Sequence, residues 1–373
     1  MFSSAGGACG IKGEGRSDAG LLVAERPVAW AGTFTRNAAA AAPVRWSRSL
    51  RGREVRAIVV NSGNANACTG DAGTIAVGTT AEAVASSLGC DSREVLVAST
   101  GPIGEHLPVD LLCAAVPDLV ETLHRDVEPF ASAILTTDTR IKVAERSAGG
   151  AHLVGVAKGA AMLAPNMATM LAFIATDAAV GSEQLSQSLD LAVARSFNRV
   201  CVDACESTND SVFLLAGGEV DVDQAVFSAA LGELCKDLAA QMVADAEGKS
   251  RVLRIMIEGA TDEESAADLG RAIASSVLWR AAVYGGDPNW GRILSALGSF
   301  DRTLDLDAVE VTIGAETVFS NGSPDGSRAA AAAAMSLEEV DLVCRVGSGP
   351  GRAQILTTDL TPDYVTLNAF GTS

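Results

Sequence analysis

The chain has 373 residues, 48% hydrophobic and 20% charged, which suits a soluble globular protein with room for two lobes or one large α/β unit. Its net charge of −18 leaves no basic surplus to neutralise phosphates and argues against nucleic-acid binding. No apolar run approaches the roughly 20 residues of a membrane helix, the first twelve residues lack a basic region followed by an apolar core, and the 8 cysteines form no Cys-x-x-Cys pair, so a membrane span, export, disulfides and metal ligation are not expected and the protein reads as cytoplasmic.

In chain order, residues 55–60 read as a strand that ends in a Gly- and Asn-rich loop at 61–66. Residues 72–88 are rich in small side chains and helical in pattern. Residues 95–99 form a second strand, Thr100-Gly101 the turn after it, and 109–123 a helix. Residues 151–157 are a strand that feeds a Lys158-Gly159 loop, and 167–176 read as a buried strand. Helices follow at 182–197 and 223–245, with a strand at 211–215 between them. A strand is expected at 252–258, one helix over 265–283, a helix at 329–334 punctuated by Pro324 and Gly326, and late strands at 340–346 and 364–368. Helix–sheet layering, an α/β (α+β) class, is the expected fold. No Pro/Gly/Ser linker separates independent domains, and most cysteines read as small buried hydrophobes.

The most informative segment runs from Lys158 to Met170. It sets Thr169 after Ala168, inside an apolar run and eleven positions beyond a lysine. Scission of the Ala168–Thr169 bond would make Thr169 an N-terminus, with its hydroxyl a few bonds from its own α-amine. An α-amine has a pKa of roughly 7.7–8.0, against about 10.4 for lysine, and a base poised near neutral pH does most for proton transfer. The three histidines, His106, His124 and His152, stand beside no familiar Ser or Cys nucleophile motif. By composition alone, Thr169 and Thr176 also read as hydrogen-bonded residues of a core strand.

Segments along nearly the whole chain decide how this one is read. They are Asn61-Ser-Gly-Asn-Ala-Asn66, Ser99-Thr-Gly-Pro-Ile-Gly104, Thr136-Thr-Asp-Thr139, the 157–170 stretch, Ser196-Phe-Asn198, Ser207-Thr-Asn-Asp210, Asp245-Ala-Glu-Gly248, Gly286-Asp-Pro-Asn-Trp-Gly-Arg292 and the terminal Leu367-Asn-Ala-Phe-Gly-Thr-Ser373. In this order the set resembles the ornithine acetyltransferase family of arginine biosynthesis, whose members process themselves at an Ala–Thr bond. Departures from that family's pattern are Ala161 in place of glycine, a less acidic 203–206 stretch, and no lysine in 279–284.

The resemblance implies layered sheets sandwiched between helices, in two interlocked lobes. It implies cleavage into an alpha chain, 1–168, and a beta chain, 169–373, and a heterotetramer of two of each. It implies acetyl transfer from N2-acetylornithine to glutamate, by ping-pong through an acetyl-Thr169 ester, with no cofactor; some members also take acetyl-CoA as an alternative donor and others only recycle, and recycling alone is the expectation here. Thr100 and Gly101 match the oxyanion residues. Thr136, Lys158, Thr169, Glu247, Asn368 and Ser373 match the substrate contacts. The residues themselves leave open a turn at Thr100-Gly101, a solvated loop lysine at 158, turn chemistry at Thr136 with Thr137 as near-equal, a surface charge at Glu247 and a frayed tail. The apolar 364–370 stretch argues that the tail is docked. An N-terminal-nucleophile amidohydrolase and an uncleaved binding paralogue stay as alternatives.

Overall fold

In the computed structural model, which describes residues 1–164 and 170–370, alternate residues of the central strands face two different apolar layers. The first sheet comprises β1 (Phe2–Gly7), β2 (Ala19–Phe34), β3 (Val55–Ser62), β4 (Val95–Thr100), β5 (Lys142–Ala148), β6 (Ala151–Lys158), β7 (Leu171–Ala179) and β8 (Ser211–Asp221), in the order β4-β3-β2-β8-β7-β6-β5 with β1 on β2. β2 shifts register between Val23 and Val28, around Pro27, which has no N–H to give to a ladder. Its first half pairs with β3 and its second with β8, so one long strand joins two half-sheets.

Helices α1 (Ala42–Ser49), α2 (Gly70–Leu88), α3 (Val109–Glu121), α4 (Glu128–Ala133), α5 (Ser182–Ala194) and α6 (Gln224–Ala244) cover this sheet. Successive side chains of a strand point to opposite faces, and that alternation sets the layers. Ile58 and Val60 of β3 and Leu96 and Ala98 of β4 share a buried cluster with Phe173 of β7 and with Phe213 and Leu215 of β8. The intervening Ala57, Val59, Val95 and Val97 turn the other way onto α2 and α3. Ala172, Ile174, Val212 and Leu214 turn onto α5 and α6. The two half-sheets therefore lie face to face with helices outside both, the expected sandwich.

A second lobe holds β9 (Val252–Ala260), β10 (Glu310–Ile313), β11 (Glu316–Ser320), β12 (Ser323–Pro324), β13 (Glu339–Arg345) and β14 (Gly351–Thr358), in the order β12-β11-β10-β13-β9-β14. α7 (Glu263–Ala274), α8 (Val277–Tyr284), α9 (Trp290–Phe300) and α10 (Arg328–Ala334) share its core around Ile255, Trp279, Ile293 and Leu342. The chain ends on α11 (Pro362–Phe370).

Three expectations change. The helix expected over 265–283 is two, α7 and α8, because Ser276 caps a new start by accepting from the Trp279 N–H. The strand expected at 364–368 is α11, which buries no residue and leaves Val365, Leu367 and Phe370 exposed, so this stretch is not docked in a core. Of the cysteines, Cys201, Cys235 and Cys344 are buried, whereas Cys68 and Cys205 are exposed and the rest lie between; all are free thiols. The first two strands, which pair along six residues, had no counterpart in the sequence reading. Among the described residues no helix is long and apolar enough to cross a membrane.

Candidate active site

Two strands, one from each facing half-sheet, end at the same place. β4 ends at Thr100 and β6 at Lys158. Lys158 is 3% exposed, and its Nζ donates to Thr136 Oγ1 at 2.7 Å and to Thr100 Oγ1 at 3.2 Å. The solvated-loop reading of Lys158 is therefore excluded, and of the two threonines Thr136, not Thr137, carries the lysine contact. Burial holds the ammonium below its ordinary range, against the pull of Asp138 and with Lys142 adding repulsion.

Gly101 turns the chain away from β4 at φ +140°, and a Cβ there would sit 2.4 Å from the Asn64 backbone nitrogen. Asn64 in turn donates its N–H to the Thr100 carbonyl at 3.0 Å. The Thr-Gly pair is thus a strand end pressed onto the 61–66 loop, and only glycine fits its second position.

A network that the sequence reading did not single out lies under Lys158. The buried Asp138 carboxylate accepts from Lys142 Nζ at 2.7 Å, from the Gly159 N–H at 2.7 Å and from the Thr136 N–H at 3.2 Å, with Lys158 Nζ 3.9 Å away. Burial pushes its pKa up, but the two ammoniums outweigh this and hold it at about 2. Lys142, fully buried, also donates to Asp245 at 2.6 Å. Asp138 and Asp245 sit inside the Thr136–Thr139 and Asp245–Gly248 motifs; an acid set among hydroxyls was the signal available for Asp138, and a second acid two positions before Glu247 the signal for Asp245.

Glu247 is tied to the start of the 159–170 connection, its N–H donating to the Ala160 carbonyl at 2.9 Å. Its carboxylate accepts from Asn368 Nδ2 of α11 at 3.0 Å. Thr137, Asp245, Glu247, Leu367 and Asn368 line a cleft of about 420 Å³. Thr137 also lines a second cavity of about 190 Å³, with Lys12, Arg16, Gly63, Gly101 and Thr136. Lys12 and Arg16 carried no sequence signal. A separate apolar cleft beside β1, near Phe2, Leu22 and Phe173, holds none of the candidate residues.

Ala168, Thr169 and Ser373 lie outside the described residues. The residues flanking 165–169 are anchored by one loop. Asp203 accepts from the Met162 N–H at 2.5 Å, and Asp210 from the Met170 N–H at 3.0 Å. Burial pushes the Asp210 carboxyl well above the usual carboxylate range. Gly101 and Thr136 therefore line one of the two cavities that share Thr137, Glu247 and Asn368 line the other, and Lys158 joins Thr136 to Thr100 through its hydrogen bonds. No group of acids, histidines and cysteines among the described residues is arranged to hold a metal ion.

The profile of the ArgJ family matches residues 3–373. The chain belongs to the ArgJ family. The match extends over nearly the full length of individual ArgJ-family relatives. The arginine biosynthesis bifunctional protein ArgJ of Thermus thermophilus is 43% identical, over 98% of this chain and 96% of its own. A Methanopyrus kandleri protein named glutamate N-acetyltransferase is 41% identical, over 96% of each. The crystal structure of the arginine biosynthesis bifunctional protein ArgJ of Bacillus halodurans superposes with a TM-score of 0.50 at 31% identity, covering 52% of this chain and 95% of that chain.

Proposed function

We propose that this ArgJ-family chain cuts itself between Ala168 and Thr169 and then transfers the acetyl group of N2-acetylornithine to glutamate. The observation that carries this is the buried Lys158 ammonium, bonded to the hydroxyls of Thr100 and Thr136 at the start of the connection that contains Thr169. The relatives' names, glutamate N-acetyltransferase and arginine biosynthesis protein, support the same reaction. The solved relative's chain, matched over 95% of its own length, spans about half of this one, which supports division into fragments 1–168 and 169–373.

In this reading the Thr169 hydroxyl attacks the acetyl carbonyl while its own α-amine takes the proton. The new O–C bond forms as the amide C–N bond breaks, and the proton passes to the departing ornithine nitrogen. The α-amine of glutamate then attacks the ester, the C–O bond breaks, and Thr169 regains its proton. Thr100 Oγ1 already accepts from Lys158, so its own O–H is free to point at the oxyanion beside the Gly101 N–H, and fixed donors of this kind each contribute roughly 100–1000-fold in rate. Lys158 and Thr136 hold the substrate carboxylate. Glu247 and Asn368 take the ammonium end of ornithine, with Ser373 completing that side. No cofactor enters this cycle, and acetyl-CoA is a second acetyl donor to test in view of relatives named bifunctional. The working form is a heterotetramer of two alpha and two beta chains in the cytoplasm.

Denaturing electrophoresis of the folded protein is expected to give two bands, and intact mass after N-acetylornithine an acetyl adduct on the fragment starting at Thr169. Thr169→Ala is expected to give one band and no transfer. Ornithine release that ignores glutamate would make the protein a hydrolase, and a variant lacking Thr169 that still transferred would remove the nucleophile assignment.

A further inference from the structure

The two substrates of the proposed reaction end in opposite charges, an ammonium on ornithine and a second carboxylate on glutamate. The cleft beside Glu247 and Asn368 favours the first, because Asp245 and Glu247 outnumber Lys249 in its lining and a carboxylate beside Asn368 would face Glu247 at short range. The 190 Å³ cavity on the other side of Thr137 has the opposite character. Lys12 and Arg16 line it, along with Gly101 and Thr136.

Lys12 is built into place. Asp18, wholly buried, accepts the Lys12 N–H at 2.9 Å and the Cys9 N–H at 2.6 Å, which pins the 8–18 loop. The Lys12 stem lies across Gly63, where a Cβ would come within 2.8 Å of its Cγ, and Gly63 backs directly onto Gly101. Lys12 Nζ donates to the carbonyls of Leu135, at 2.5 Å, and Ser17, at 3.1 Å. An ammonium has three donors, so one is left for the cavity. Arg16 is exposed and has no ion-pair partner among the described residues, which leaves its planar fork open for two-point contact with a carboxylate. Burial, with Lys158 and Arg16 adding repulsion and Asp18 opposing, holds the Lys12 ammonium down at about 8. A pocket already crowded with positive charge gains by accepting an anion.

We propose that Lys12 and Arg16 form a carboxylate subsite for the side-chain end of the acceptor amino acid, distinct from the Glu247–Asn368 cleft that takes the ammonium end of the donor. The proposal rests on the acetyl-transfer reading above. It makes these two cations the residues that let one nucleophile serve two substrates of opposite end charge.

The test is steady-state kinetics of Arg16→Ala and of Lys12→Met, which keeps the packed stem. Arg16→Ala is expected to raise the KM for glutamate about tenfold, the usual worth of a hydrogen bond to a charged group, while the KM for N-acetylornithine moves less than about twofold. Glutamine, the neutral analogue, should gain on glutamate as acceptor in both variants. An unchanged KM for glutamate, or an equal rise in both KM values, overturns the subsite. Calorimetric titration of wild type and Arg16→Ala with glutamate and with glutamine reads the subsite without chemistry. A wild type that binds glutamate no better than glutamine also overturns it, whereas one that prefers glutamate but forms no N-acetylglutamate would sink the transfer reading and leave the subsite standing.

Discussion

Asp138 faces two buried ammoniums, Lys142 at 2.7 Å and Lys158 at 3.9 Å. Replacing it with Asn leaves Lys142 with Asp245 alone and takes from Lys158 its ion-pair partner, and removing one partner of a buried ion pair typically costs about 3–5 kcal/mol. Urea unfolding of Asp138→Asn should show a loss of that order, along with lower activity, since Lys158 loses a neighbour that keeps it charged. The sign with pH follows from the depressed pKa. The Asp138 carboxyl sits at about 2, below the ordinary carboxylate range, so the stability it contributes is present above about 4 and is lost as pH falls toward 2. Wild type should therefore lose on the order of 2 kcal/mol across that window, and Asp138→Asn should lack this component. Residue by residue the site was partly legible. The apolar neighbours of Lys158 argued against a solvated lysine, and it is buried. Lys12 was silent, because nothing local marks a lysine that meets Leu135 through a carbonyl contact more than a hundred positions away.

Among the elements, α11 tests how function and stability separate. Residues 364–368 are rich in β-branched and aromatic side chains, which favoured a strand, yet no sheet edge receives them and Pro362 opens a helix instead. α11 buries no residue but brings Asn368 to Glu247. A chain ending at Thr361, which keeps the Thr361–Gly248 contact, is expected to lose only a few degrees in Tm, as removal of an unburied terminal element costs little. Its KM for N-acetylornithine should rise at least about tenfold. A large drop in Tm would show that the helix is structural. The break between α7 and α8 has the converse lesson. Residues 265–283 keep helical periodicity throughout, and one serine side chain turned back onto the Trp279 N–H makes two helices of them.

For the whole molecule, the proposed cut falls between β6 and β7, which pair antiparallel from Leu153–Thr176 to Lys158–Leu171. Both fragments then own strands of one sheet. The lobe boundary lies elsewhere, between α6 and β9. Fragments 1–168 and 169–373 are therefore expected to migrate together on native size exclusion and to part only in denaturant. Fragments that separate under native conditions would contradict this sheet. Shared sheet hydrogen bonds and the apolar layer between the half-sheets supply the linkage.

The sequence by itself determined most of the alternating helices and strands from 55 to 260, α4 and β5 excepted, the layered α/β class and the order of the site motifs, because periodicity and turn residues act over a few positions. Tertiary structure alone decided that Thr100 and Lys158 meet, that Lys142 and Asp138 lie beneath them, and that Lys12 and Arg16 open onto the same turn. Those contacts join strands that face each other across a core, and their geometry depends on the bend in β2 and on which face each strand turns inward, neither of which is written in any single segment.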